Sequence, residues 1–183
     1  NYNGHSKPTV TQSTNAILMT PAEVYFLLAE AALKGYITTK SAQTYYAEGV
    51  KASFTQWGVE NQLDTYLQSE ATPTDFKDAL DSRFDEDATT DITPKWDDND
   101  SYDRKLERII TQKWIACYPE GVEAWSEQRR TGYPKLFKVY ENNSNGTIST
   151  KIMIRRLPFP AALQSDNPDQ YNKLLQLLGG STT

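Results

Sequence analysis

Apolar positions recur every three to four residues along most of this chain, the spacing of a single helix face. The first clear case follows Thr20-Pro21-Ala22-Glu23, with Val24, Leu27, Leu28, Ala31 and Ala32 on one side. Thr20 can cap the helix, Pro21 suits its first position and Glu23 completes a capping box. Gly35 then stops it. A second helix is predicted from Ser41 to Gly58, with Tyr46, Val50, Phe54 and Trp57 as its apolar stripe. Joined by a short turn, the two form an antiparallel hairpin of tetratricopeptide type, although one pair is not a repeat array. Ala29, Ala31 and Ala32 are small enough to let helices approach closely.

The pattern is weaker over Glu60 to Glu70, where Leu63, Tyr66 and Leu67 share a face. Thr72-Pro73-Thr74-Asp75 predicts a further helix start, with Phe76, Leu80 and Phe84 turned inward. Residues 85–101 are polar, acidic and broken by Pro94, so they are predicted to be an irregular loop. The longest helix is expected from Asp103 to Cys117, with Leu106, Ile109, Ile110, Lys113 and Trp114 at helical spacing. After Pro119-Glu120-Gly121 another is predicted from Val122 to Arg130. Residues 141–150 are turn-rich, and Ile152 to Leu157 is the one good strand candidate. Asn167-Pro168 opens a last helix, stopped at Gly179-Gly180. Residues 1–19 form an extended arm. The expected fold is mainly α, with helix hairpins, long ordered loops and little β structure. No shift in composition marks a boundary, so 1–183 is expected to form one compact region.

Composition narrows the chemistry. A chain of 183 residues can bury roughly 70% of its unfolded surface. Its 19 basic and 24 acidic residues give a net charge of −5, which disfavours a general nucleic-acid face. The longest apolar run, around Val24 to Leu28, is far short of the ~20 residues of a membrane-spanning helix. His5 is the sole histidine and Cys117 the sole cysteine. That argues against a disulfide framework, a thiolate metal cluster, a Ser–His–Asp triad and a His-based zinc site. No catalytic residue, cofactor or metal is expected. Cys117 falls on an apolar face and reads as a buried, inert thiol.

Aromatic residues make up 11%, which keeps carbohydrate or peptide stacking open. Trp96 lies in the polar loop beside Asp97, Asp98, Asn99, Asp100 and Tyr102. A loop tryptophan can offer its flat face to a pyranose ring, with Asn99 and Tyr102 bonding hydroxyls. Equally, it can anchor the loop to the core. Trp96, Asn99 and Tyr102 are therefore the candidate glycan-binding residues. The acidic run resembles a calcium loop but departs from it, with Tyr102 where Gly belongs and Arg108 where the closing Glu belongs. Trp125 with Arg129 and Arg130 can be read as a ligand clamp or as scaffold. Arg155-Arg156 can be read as a patch for an acidic partner or as an ordered surface turn. No two carboxylates can be singled out as a glycosidase pair.

Four stretches together resemble the SusD/RagB family of outer-membrane nutrient-binding lipoproteins. They are Ala22-Glu23-Val24-Tyr25-Phe26-Leu27-Leu28-Ala29-Glu30-Ala31-Ala32; Tyr45-Tyr46-Ala47-Glu48-Gly49-Val50; Ile109 to Ala116 continuing through Glu123-Ala124-Trp125 to Arg129-Arg130-Thr131-Gly132-Tyr133-Pro134; and Arg155-Arg156-Leu157-Pro158-Phe159-Pro160. They keep the family's order across most of residues 20–180. The resemblance implies a SusD-like helical fold and a non-catalytic, cell-surface protein of the bacterial outer membrane. Such a protein captures glycans, or in some members peptides, and delivers them to a SusC-like TonB-dependent transporter. It also implies that this chain is the C-terminal part of a protein two to three times longer, whose lipid anchor lies outside it. An alternative role is a scaffold docked on the transporter, with ligand contacts elsewhere in the full protein.

Overall fold

The computed structural model describes residues 11–138, 140–146, 148–150 and 152–180. Among these residues it is helical, with seven α-helices and no sheet. They are α1 (Pro21–Leu33), α2 (Ala42–Trp57), α3 (Leu63–Leu67), α4 (Tyr102–Ala116), α5 (Gly121–Thr131), α6 (Ala161–Asp166) and α7 (Pro168–Leu177). The chain divides into two compact units, residues 1–137 and 138–183. Described residues of the arm, 11–19, carry no regular structure.

The hairpin forms because its ends are specified locally. Thr20 Oγ1 accepts from the Glu23 N–H at 3.2 Å, and Ser41 Oγ from that of Thr44 at 3.1 Å. At the far ends Gly35 and Gly58 take φ of +74° and +68°, a region costly for other residues. Tyr36 N–H then reaches Ala31 O, and Val59 N–H reaches Phe54 O, closing both helices by Schellman geometry. Inside the hairpin Phe26 meets Tyr46 edge to face at 6.2 Å. Helix α4 covers the pair with Ile109 and Ile110, both fully buried alongside Ala22, Phe26, Ala29 and Val50.

A charged cluster ties α1, α4 and α5 together. Lys113 is 1% exposed. Its Nζ lies 2.8 Å from Glu127, 2.9 Å from Glu123 and 3.7 Å from Glu23. Arg130 makes a bidentate pair with Glu30, at 2.7 and 2.6 Å, and also reaches Glu127 at 2.7 Å. Lys34 reaches Glu30 at 2.6 Å. Arg130 is thus committed to the scaffold, and Arg129 lies 5.0 Å from the Trp125 ring centre.

These contacts predict an acid-dependent stability. Burial pushes the Glu30 carboxyl up, but Arg130 and Lys34 outweigh it and hold it down to about 2, against an ordinary 4.5. A depressed carboxyl stabilises the fold above its unfolded value and loses that contribution as pH falls through the folded value. Burial shifts Glu23 upward despite Lys113, so its protonation favours the fold, but that gain is complete by about pH 4.5, above the range in which Glu30 titrates. The urea midpoint should therefore fall between about pH 4.5 and 2, and Glu30→Gln should flatten that decline. An unchanged slope in Glu30→Gln would place the acid sensitivity elsewhere.

Several expectations need correction. The segment from Thr72 is not a helix. Phe76 instead forms an isolated antiparallel bridge with Glu86 and leans on Phe137 at 5.9 Å, while Leu80 is 83% exposed. Aspartates have captured the backbone here. Asp75 accepts from Ala88 N–H, Asp78 from Leu80 and Asp81, Asp81 from Arg83, and Asp85 from Asp78. Such local bonds compete directly with a helix. Residues 152–157 form no strand, because among the described residues no neighbouring strand is present to take their backbone groups. Helix α6 adds a short helix beyond the predicted ones, and α2, with 16 residues, is longer than α4 with 15. Cys117 is buried as expected, which pushes its thiol up to about 12.

Candidate functional site

The irregular stretch before α4 is held at defined points. Tyr46 donates its hydroxyl proton to Pro94 O at 2.6 Å, and Lys95 N–H donates to Ser69 O at 3.2 Å. Residues 94–96 are thereby fixed to α2 on one side and to the end of α3 on the other. The Trp96 ring rests 5.4 Å from that of Tyr46, tilted by 44°, with the Arg108 guanidinium 6.0 Å from its centre. Its Nε1–H donates to Asp98 Oδ1 at 2.8 Å. Trp96 is half-buried and packs on the edge of the core.

Residues 97–100 then turn. Asp97 Oδ1 accepts from the Asn99 backbone N–H at 2.8 Å and from its side-chain amide at 3.1 Å. The backbone bond holds the Asp97 carboxyl below its usual range. Ser101 caps α4, and the helix projects Arg104 and Arg108 back toward the loop. Arg104 pairs with Asp91 at 2.8 Å and Asp100 at 3.2 Å; Arg108 pairs with Asp100 at 2.7 Å and donates to Thr93 O at 2.9 Å. Arg108 Nη1 is buried without a hydrogen-bond partner.

Together these groups line an open cleft of about 620 Å³, walled by Trp96, Asp97, Asp98, Asn99, Arg104 and Arg108. Of the three residues expected from the sequence, Trp96 and Asn99 share this cleft. Tyr102 does not line it. It opens α4 and is 44% exposed. At 100° per residue it stands on the far side of the helix from Arg104 and Arg108, which are one turn apart. Sequence reading missed the two arginines, although their spacing beside an acidic loop was visible. It also missed Glu70 and Thr93, because nothing local ties Glu70 to this loop.

The model of the SusD-like family, described as Susd and RagB outer membrane lipoprotein, matches residues 1–183. The chain belongs to the SusD/RagB family. That places it among outer-membrane lipoproteins, and no helix of its described residues is long and apolar enough to cross a membrane. Solved SusD homologues agree. One from Bacteroides vulgatus is 50% identical, with a TM-score of 0.82 over 97% of this chain and 36% of its own. One from Bacteroides thetaiotaomicron is 39% identical, with a TM-score of 0.81 over 92% of this chain and 35% of its own. A chitin-binding SusD homologue from Flavobacterium johnsoniae is 41% identical, with a TM-score of 0.77 over 91% of this chain and 34% of its own. The chain thus spans about a third of the length of these SusD relatives. No curated protein matches it.

Proposed function

We propose that this SusD-family chain takes part in non-catalytic glycan binding at the bacterial cell surface, with the Trp96 cleft as its contact. The supporting observation is the cleft itself. It pairs one aromatic wall with a rim of carboxylates, amide and guanidinium groups, the mixture that sugar hydroxyls and apolar C–H faces require. The chitin-binding relative supports the same ligand class. The full protein would pass its ligand to a SusC-like TonB-dependent transporter, and Asn99 would bond hydroxyls through its free carbonyl. Tyr102, outside the cleft lining, would contribute only to a ligand extending beyond it.

Affinity electrophoresis through gels carrying plant, fungal and host polysaccharides tests this reading. Retardation by at least one neutral polymer is expected, weakened by Asn99→Ala without a change in melting temperature. Trp96→Ala should lower both affinity and melting temperature, because its ring also packs on Tyr46. No retardation by any polymer would overturn glycan binding by this chain. That packing also supports a second reading, in which Trp96 is an anchor and the chain is a scaffold docking on the transporter. A fully stable, fully binding Asn99→Ala combined with a destabilised Trp96→Ala of normal affinity would favour it.

A further inference from the structure

Trp96 also lines a second hollow. This one is smaller, about 190 Å³, and is lined by Gln43, Tyr46, Ala47, Leu67, Gln68 and Lys95 together with Trp96 itself. Lys95 and Trp96 line both this hollow and the 620 Å³ cleft. Trp96 and Lys95 are therefore a shared border of two spaces, and it is a fixed one. Lys95 is pinned to Ser69, and Pro94 is pinned to the buried Tyr46.

The two spaces differ in chemistry. The large cleft carries Glu70, Asp97, Asp98 and Asp100 against Lys95, Arg104 and Arg108. Its cations are all held in ion pairs with carboxylates. Among the described residues the small hollow has no carboxylate in its lining, and the cation there, Lys95, is paired with Glu70. The hollow offers two amides, Gln43 from α2 and Gln68 from the end of α3, beside the rings of Tyr46 and Trp96. Gln43 and Ala47 lie one turn apart on α2, so they face it together. Amides both donate and accept, and aromatic edges tolerate C–H groups, so this lining suits an uncharged sugar unit.

We propose that the small hollow is a second sugar subsite, so that the ligand is an uncharged chain of at least two units lying across the Trp96 edge. This rests on the glycan-binding reading of the large cleft. One unit occupies that cleft, the next crosses Lys95, and the amides of Gln43 and Gln68 hold it. The surplus carboxylates of the larger space repel uronates, which sets the preference for neutral chains.

Calorimetric titration with chito-, cello- and malto-oligosaccharides of one to six units tests it, using the chain and two variants. Affinity for the recognised series should rise at least about ten-fold from one unit to two or three. Ala47→Leu, which fills the hollow from a partly exposed helix position, should abolish that rise. It should leave melting temperature and the weak one-unit binding unchanged. Gln68→Ala should reduce the rise in part. Binding whose strength does not depend on length, or a length dependence that survives in Ala47→Leu, would overturn the second subsite while leaving the glycan-binding reading intact. Absence of binding by any oligosaccharide and any polymer would overturn both.

Discussion

Lys113→Met should cost about 3–5 kcal/mol of stability, because it strands buried carboxylates without their cation. The ammonium is 1% exposed and carries Glu127 and Glu123 by hydrogen bonds, with Glu23 just beyond. Burial opposes the charge on Lys113, yet these partners outweigh it and raise its pKa. Methionine matches the stem in length and packing but takes the cation away from Glu23 and Glu123 and half of the pairing away from Glu127. Among the described residues, Arg130 remains as the ion-pair partner of Glu127. The deficit should shrink as pH falls, since stranded carboxyls take up protons more readily in the folded state than in the unfolded one. Urea unfolding of both proteins across pH measures this. A deficit below about 1 kcal/mol at neutral pH would mean that water reaches these carboxylates once the lysine is gone.

Phe26→Ala should cost a similar amount, about 3–5 kcal/mol, by leaving a cavity at the centre of the α1–α2 hairpin. The ring is 1% exposed and lies directly over Gly49. A Cβ built on Gly49 would meet the ring at 2.8 Å, so the glycine is required by close approach. Gly49→Ala alone should cost about 1–2 kcal/mol, the overpacking loss outweighing alanine's better helix propensity. In the Phe26→Ala background the same substitution should change sign. The clash is gone, the methyl fills part of the cavity, and the propensity gain of about 1 kcal/mol remains. Chemical denaturation of the four proteins in this double-mutant cycle tests the coupling. Additive effects would show that the ring moves aside at no cost.

Both predictions rest on features that the sequence shows only in part. The caps of α1 and α2 were legible because they depend on nearest neighbours: Thr20, Pro21, Ser41, Gly35 and Gly58 each act on groups within five residues. The core stripe was legible for the same reason, since Val50 and Ile109 repeat at a helix period. Lys113 was visible at a helical core position, but its three glutamates were not, as two come from α5 and one from α1. The site was legible to a similar extent. Trp96 and Asn99 stood out as an aromatic and an amide in a polar loop.

The misread segments share one cause. Residues 72–84 have helical spacing, yet four of their backbone N–H groups, those of Asp78, Leu80, Asp81 and Arg83, found partners in aspartate side chains, and Asp75 accepts from Ala88 just beyond. Residues 152–157 have the composition of a strand, but a strand exists only as one of a pair. Tyr102 is near Trp96 in sequence, but helix rotation carries it away from the cleft.

What the sequence determined by itself was therefore the helices whose start, stripe and stop are all local, the family, and the presence of an aromatic residue in an acidic loop. The tertiary structure alone decided the rest. It determined which carboxylate meets which cation, that Phe26 needs a glycine beneath it, and that Trp96 borders two hollows. Each of these depends on groups brought together from distant parts of the chain, such as Glu30 with Arg130 and Gln43 with Lys95. No spacing along the chain encodes such distances, because they are set by how the helices pack.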